Sequence, residues 1–153
     1  MSDFFFDSSA LVKAYIVEIG TLWVRAILDD PQHNIYISAL AEVEVVSALT
    51  RRFNEGDLTR FEVDQASDEL RQDCVTYSVI PITPQIMEAA VDNARNYSLR
   101  AYDAVQLASA IAVSISLLGT YGPPIDFTLV SADDALNEAA RRERVQVENP
   151  NLH

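Results

Sequence analysis

Five short apolar runs separated by stretches of helical pattern leave this chain few folds to choose from. The runs are Asp3–Phe6, 35–37 ending at Ser38, 74–80 stopped by Pro81, Phe127–Val130 and 145–147. Their β-branched and aromatic content, bounded by Asp, Ser and Pro, marks strands. Between them lie segments of helical pattern at 8–30 (with a break near Gly20), 39–54, 58–73, 102–118 and 133–144. A further helix starts at Thr83-Pro84, with threonine as cap and proline at its first position. Short apolar strands alternating with helices predict an α/β fold, a parallel sheet of four to five strands sandwiched between helices. The 153 residues suffice for one real core. No repeat or composition shift divides them, so residues 1–150 read as one domain and 151–153 as a tail.

Composition narrows the chemistry. A hydrophobic share of 49% with only four glycines and six prolines excludes a disordered or low-complexity chain. The single Cys74 rules out a disulfide framework or a cysteine zinc site, and His33 and His153 are too few for a histidine metal cluster. The start, Met1-Ser2-Asp3-Phe4, lacks the basic region of a secretory signal. The weakly charged stretch 101–118 contains Asp103, Gln106 and three serines, which suits a packed helix better than a membrane span. The expected location is cytoplasmic, without a membrane partner.

A formal net charge of −12 works against non-specific nucleic-acid binding, which draws on cation–phosphate contacts. It suits a basic protein partner instead. Ten of the eleven cations are nonetheless arginine, the side chain whose fork matches phosphate or carboxylate. Arg51-Arg52 and Arg141-Arg142 with Arg144 are the only clusters.

Four acids stand at the edges of apolar segments: Asp7, Glu44, Asp103 and Asp133. Parallel sheets bind ligands beyond the carboxyl ends of their strands. Asp7 and Asp133 follow strands directly and belong at that edge, whereas Asp103 and Glu44 must reach it from helices. Desolvating an unpaired carboxylate is costly, and four together repel one another unless a divalent cation joins them. Each acid also has a plainer explanation. Asp7 and Asp133 suit helix caps, and Asp103 with Gln106 resembles a capping box. Glu42 competes with Glu44, since residues two apart on a helix face nearly opposite ways, and Asp134 competes with Asp133.

The segments Asp7-Ser8-Ser9-Ala10-Leu11-Val12-Lys13, Glu44-Val45-Val46-Ser47-Ala48-Leu49, Leu99-Arg100-Ala101-Tyr102-Asp103-Ala104-Val105-Gln106-Leu107-Ala108 and Val130-Ser131-Ala132-Asp133 resemble the PIN-domain family. The likeness is strongest to VapC-type toxins of toxin–antitoxin pairs and covers nearly the whole chain. It points to Glu44 over Glu42 and to Asp133 over Asp134. It implies an endoribonuclease dependent on Mg²⁺ or Mn²⁺, cleaving RNA phosphodiester bonds by metal-activated water. Asp7 and Asp103 would be primary metal ligands, and Glu44 and Asp133 would support them directly or through water. The resemblance further implies a homodimer silenced by a cognate antitoxin whose C-terminal segment covers the acidic groove. An RNA-processing nuclease or a non-catalytic protein-binding module of the same family are its alternatives. A haloacid-dehalogenase-type phosphatase fits poorly, because that chemistry needs an acid two residues after the first, where Ser9 stands. Ser9 is placed to orient Asp7 or a phosphate oxygen, and Arg100 to pair with an acid or a partner.

Overall fold

The computed structural model describes residues 1–153. Strand β1 (Asp3–Phe6) leads into a short helix α1 (Ser8–Leu11) and a 3-10 turn (Val12–Ala14); α2 follows at Thr21–Leu28. Then come β2 (Asn34–Ser38), α3 (Ala41–Asn54), α4 (Arg60–Cys74), β3 (Ser78–Ile80) and α5 (Pro84–Tyr97). The chain ends with α6 (Ala101–Tyr121), β4 (Phe127–Val130), α7 (Asp134–Arg142), β5 (Gln146–Glu148) and a 3-10 turn at Pro150–Leu152.

All five strands are parallel, in the order β3-β2-β1-β4-β5. The chain therefore steps outward from β1 to β3 on one side, then crosses back to build β4 and β5 on the other. That reversal sets a switch point between β1 and β4, where the connections leave in opposite directions and open a crevice. Phe5 pairs with Tyr36 and Leu129, and Phe6 with Ile37 and Val130. Side chains alternate across the pleat. Phe5 and Leu129 thus enter a core with α5, α6 and α7, while Phe6, Ile37 and Val130 enter a second core with α1 to α4.

Helix α6 is long and apolar enough to cross a membrane by length and composition, yet half of that stretch is buried inside the domain. Its residues from Ala104 to Ala110 are buried, against the sheet and α5.

Several expected boundaries move. The run 74–80 yields only the strand Ser78–Ile80, because Cys74 completes α4 and the Thr76 hydroxyl donates to the Asp73 carbonyl at 2.7 Å, making a turn instead. Residues 8–30 are interrupted well before Gly20, by the 3-10 turn. Gly20 itself has φ +87°, and a Cβ there would lie 2.3 Å from the Pro150 carbonyl oxygen. Both the left-handed backbone and the close approach require glycine. Through this contact the C-terminal turn docks beside α2, where Trp23 stacks on His153 with ring centres 4.2 Å apart.

Candidate active site

The crevice at the switch point is held together by Asp7 and two serines. The Asp7 backbone N–H donates to the Val130 carbonyl at 3.1 Å, extending the pairing of β1 with β4 by one rung. Its carboxylate caps α1 by accepting from the Ala10 N–H at 3.1 Å. Ser9 Oγ donates to the same carboxylate at 2.8 Å, and Ser131 Oγ does so at 3.1 Å. Each hydroxyl also accepts from the far loop or its own: Ser9 from the Ala132 N–H at 2.9 Å, Ser131 from the Asp133 N–H at 3.1 Å. Asn137 fixes the Ser131 carbonyl at 2.9 Å. Asp7 is left only 3% exposed. Burial pushes its carboxyl up from 3.8 to about 7, against the lowering effect of the bonds from Ser9, Ala10 and Ser131.

The other three acids converge on the same cleft from three different helices or their caps. Asp103 lies in the first turn of α6, whose cap residue is Arg100. The capping-box expectation for Asp103 and Gln106 is therefore wrong: the helix begins two residues earlier, and Gln106 turns inward. Burial raises the Asp103 carboxyl, the negative charges of Asp133 and Glu44 raise it further, and Arg100 at 3.8 Å opposes them. Asp133 caps α7, accepting from the Leu136 N–H at 2.8 Å, while Asp134 is exposed and takes a bond from Asn149. Glu44 faces the cleft; Glu42 instead reaches Arg71 on α4 at 3.5 Å. Helical geometry thus separates the two glutamates as their spacing requires.

Gln106 is the residue that sequence reasoning misjudged most. It is 1% exposed, and its Nε2 donates to Ser8 Oγ at 3.1 Å and lies 3.4 Å from both Glu44 oxygens. It thereby ties α6 to α1 and α3. Ser131 was also missed, because the carboxylate it holds lies across the switch point, 124 positions away, and Asn137 was missed with it, because its role is to fix Ser131. Two buried oxygens have no partner, Gln106 Oε1 and Asn137 Oδ1. Both belong to side chains that hold site residues, so the polar shell of this cleft is incompletely satisfied.

The cleft has a volume of about 560 Å³. The four acids share its lining with Ser8, Ser9 and Ser47, and with Val43, Arg51, Arg100 and Tyr102. No three Asp, Glu, His or Cys side chains close in far enough to enclose an ion. Each acid rests on its own donor or cation: Asp7 on Ser9 and Ser131, Glu44 beside Gln106, Asp133 on the Leu136 N–H, and Asp103 beside Arg100. The available donors are all oxygen, the set preferred by hard cations such as Mg²⁺ and Mn²⁺. No histidine lines the cleft, and His33 packs edge-on against Phe4. A separate hollow of about 430 Å³ beside Tyr15 and α4 has its Arg52 tied to Glu18 at 2.7 Å and does not touch this cleft.

Fold and cleft define a class: a parallel α/β domain with four carboxylates lining a cleft at its switch point. The chain belongs to the PIN domain family, whose model matches residues 4–142. It is 34% identical over 109 residues to Ribonuclease VapC45 of Mycobacterium tuberculosis, covering 71% of this chain and 75% of that one. Its fold is similar to that of VapBC2 from Rickettsia felis bound to a DNA fragment from their promoter, with TM-score 0.64 and 14% identity over 96% of this chain and 98% of that one. It is also similar to a toxin–antitoxin complex from Klebsiella pneumoniae, with TM-score 0.51 and 17% identity over 84% and 85% of the two chains.

Proposed function

We propose that this chain is the endoribonuclease toxin of a toxin–antitoxin pair, acting in the cytoplasm. The observation that carries it is the convergence of Asp7, Glu44, Asp103 and Asp133, from four separate elements, on one cleft at the switch point. A structural role for one acid is easy to supply; no structural role calls for four in one crevice of a folded domain. Membership of a family whose curated relative is a ribonuclease supports the substrate class.

Asp7 and Asp103 would hold a divalent cation, Mg²⁺ or Mn²⁺, with Glu44 and Asp133 completing the set directly or through water. When bound, such a cation lowers the pKa of water and neutralises charge growing on the phosphate. The chain's own residues prepare the site. Ser9 and Ser131 lock the Asp7 rotamer, so its oxygens cannot swing away. Gln106 steadies Glu44 from beneath. As the water oxygen bonds to phosphorus, the P–O bond to the leaving oxygen would break; the water's proton would pass to a cleft carboxylate or to solvent, and the leaving oxygen would take a proton from solvent. A fold neighbour also supports an antitoxin partner, since it is described as a toxin–antitoxin complex. A homodimer completes the proposal.

One consequence concerns Gln106. Gln106→Leu fills a similar volume but removes the donor to Glu44 together with the orphaned oxygen. Stability should change little, because losing the unsatisfied oxygen offsets losing the bond to Ser8. Cleavage should fall about 10- to 100-fold, the usual cost of losing a residue that orients a ligand. Melting curves and RNA cleavage rates on one preparation check both halves; unchanged cleavage would remove Gln106 from the site.

The toxin assignment is tested by expression in a bacterial host, with and without the neighbouring antitoxin frame, beside Asp7→Asn. Asparagine keeps the shape of Asp7 and removes the charge that a hard cation needs. The native chain should arrest growth, the antitoxin should restore it, and RNA from arrested cells should carry new cuts. Equal growth of native and Asp7→Asn cultures, with intact RNA in both, would favour a protein-binding module instead.

A further inference from the structure

The mouth of the cleft is built differently from its floor. Tyr102 is 62% exposed and Val43 is 61% exposed, both on the lining, and neither joins either core. Large apolar surface left standing over a crevice of charged oxygens does nothing for folding. Arg51 and Arg100 line the same mouth. Eight of the eleven cations of this acidic chain have a carboxylate partner; Arg51, Arg141 and Arg144 have none. Of those three only Arg51 lies at the cleft, where its single side-chain contact is Ser47 Oγ at 3.2 Å. Arg100 is 86% exposed, and its 3.8 Å approach to Asp103 is a screened contact it can leave at little cost.

We infer that Tyr102, Arg51 and Arg100 form a subsite for one unpaired nucleotide of the RNA strand, the ring taking the base face and the guanidiniums the adjacent phosphates. The inference rests on the nuclease proposal and adds to it the residues that hold the strand beside the acids. An exposed aromatic ring stacks on any base, but only on one already outside a double helix, whose base faces are covered. The guanidinium fork matches phosphate oxygens. A cleft of about 560 Å³ is sized for a ligand of nucleotide scale and does not admit a duplex. An arginine-bearing peptide would meet the acids but would leave Arg51 and Arg100 without an anion. With a cation held among the acids, a strand would place its phosphates against both guanidiniums. Because stacking ignores base identity, this subsite discriminates little among bases.

The test uses the full chain. Binding of a short dye-labelled oligouridylate is followed by anisotropy with the Asp7→Asn chain in Mn²⁺, and KM for its cleavage is measured with the native chain. Tyr102→Ala should weaken both by about tenfold, whereas Tyr102→Phe should stay within about twofold of its parent. Tyr102 is exposed, so folding is not at stake, and matched melting curves verify it. Arg51→Ala should reduce the slope of log affinity against log salt by about 0.7, the share of one single-strand phosphate. Annealing the probe to oligoadenylate should abolish the dependence on Tyr102. If the native chain cuts RNA and Tyr102→Ala matches its parent in binding and KM, the subsite is refuted while the nuclease stands. If no RNA is bound or cut by any form, both fall together. If Tyr102→Ala spares RNA but weakens an arginine-bearing peptide, the mouth belongs to a protein partner and the subsite is wrong.

Discussion

Asp7→Asn should melt several degrees above the native chain in metal-free buffer near pH 8, while losing RNA cleavage by about 100-fold or more. The two effects share one cause. In the native fold the Asp7 carboxyl titrates near 7, against 3.8 ordinarily, chiefly because burial strips it of water. Between those values the folded chain keeps a proton that the unfolded chain has released. The folded state thus binds more protons there, and stability must fall as pH rises through that window. The penalty is absent below about 4 and complete above about 7, where it amounts to roughly 4 kcal/mol. Asparagine carries no such penalty. Its amide oxygen can still accept from the Ala10 N–H, and its NH₂ can donate to the Ser9 or Ser131 hydroxyls, which rotate freely. At roughly 2–4 °C per kcal/mol for a domain of this size, the difference is easily measured, and it should vanish near pH 4. Adding Mn²⁺ should reverse the order, since a ligand held only by the folded native chain stabilises it alone. Identical melting of the two proteins near pH 8 would mean that Asp7 bears no such cost.

The second large effect separates two neighbouring glutamates. Glu44→Gln should lower cleavage about 100-fold, whereas Glu42→Gln should stay within about twofold of the native chain. Glu44 lines the cleft above Gln106, while Glu42 makes an exposed pair with Arg71 at 3.5 Å. An exposed pair contributes at most about 1 kcal/mol to stability and nothing to chemistry elsewhere. Steady-state cleavage rates at saturating Mn²⁺ decide the matter; equal losses, or a greater loss for Glu42→Gln, would place the wrong glutamate in the site.

How far the sequence alone reached follows from the range of the interactions involved. The strands at Asp3–Phe6 and Phe127–Val130 were readable because a short apolar run of aromatic and β-branched residues is a local signal. Asp7 and Asp133 were placed correctly for the same reason, each directly following a strand. Asp103 and Glu44 reach the cleft from helices, where local pattern is ambiguous: their place beside apolar segments drew notice to both, but only the family resemblance chose Glu44 over Glu42. Ser131 and Gln106 escaped altogether. Ser131 acts on a residue 124 positions away and Gln106 on one 98 positions away, and neither pairing leaves a trace in local spacing. The apparent capping box at Asp103 misled because the α6 backbone already begins at Ala101. The apolar run at 74–80 misled because Val75 is the cap residue of α4 and Tyr77 packs into the core beside it.

Purified native chain and Asp103→Asn, each incubated with unpaired RNA in EDTA and then in millimolar Mn²⁺, put the acidic cleft to its most direct trial. Asp103 sits among the other acids and is engaged with Asp133, Glu44 and Arg100, so its charge bears on the whole site. The native chain should cut RNA at discrete positions only after Mn²⁺ is added, and Asp103→Asn should cut under neither condition. Cleavage by the native chain in EDTA, or equal cleavage by Asp103→Asn in Mn²⁺, would show that the four carboxylates are not a cation-dependent nuclease site.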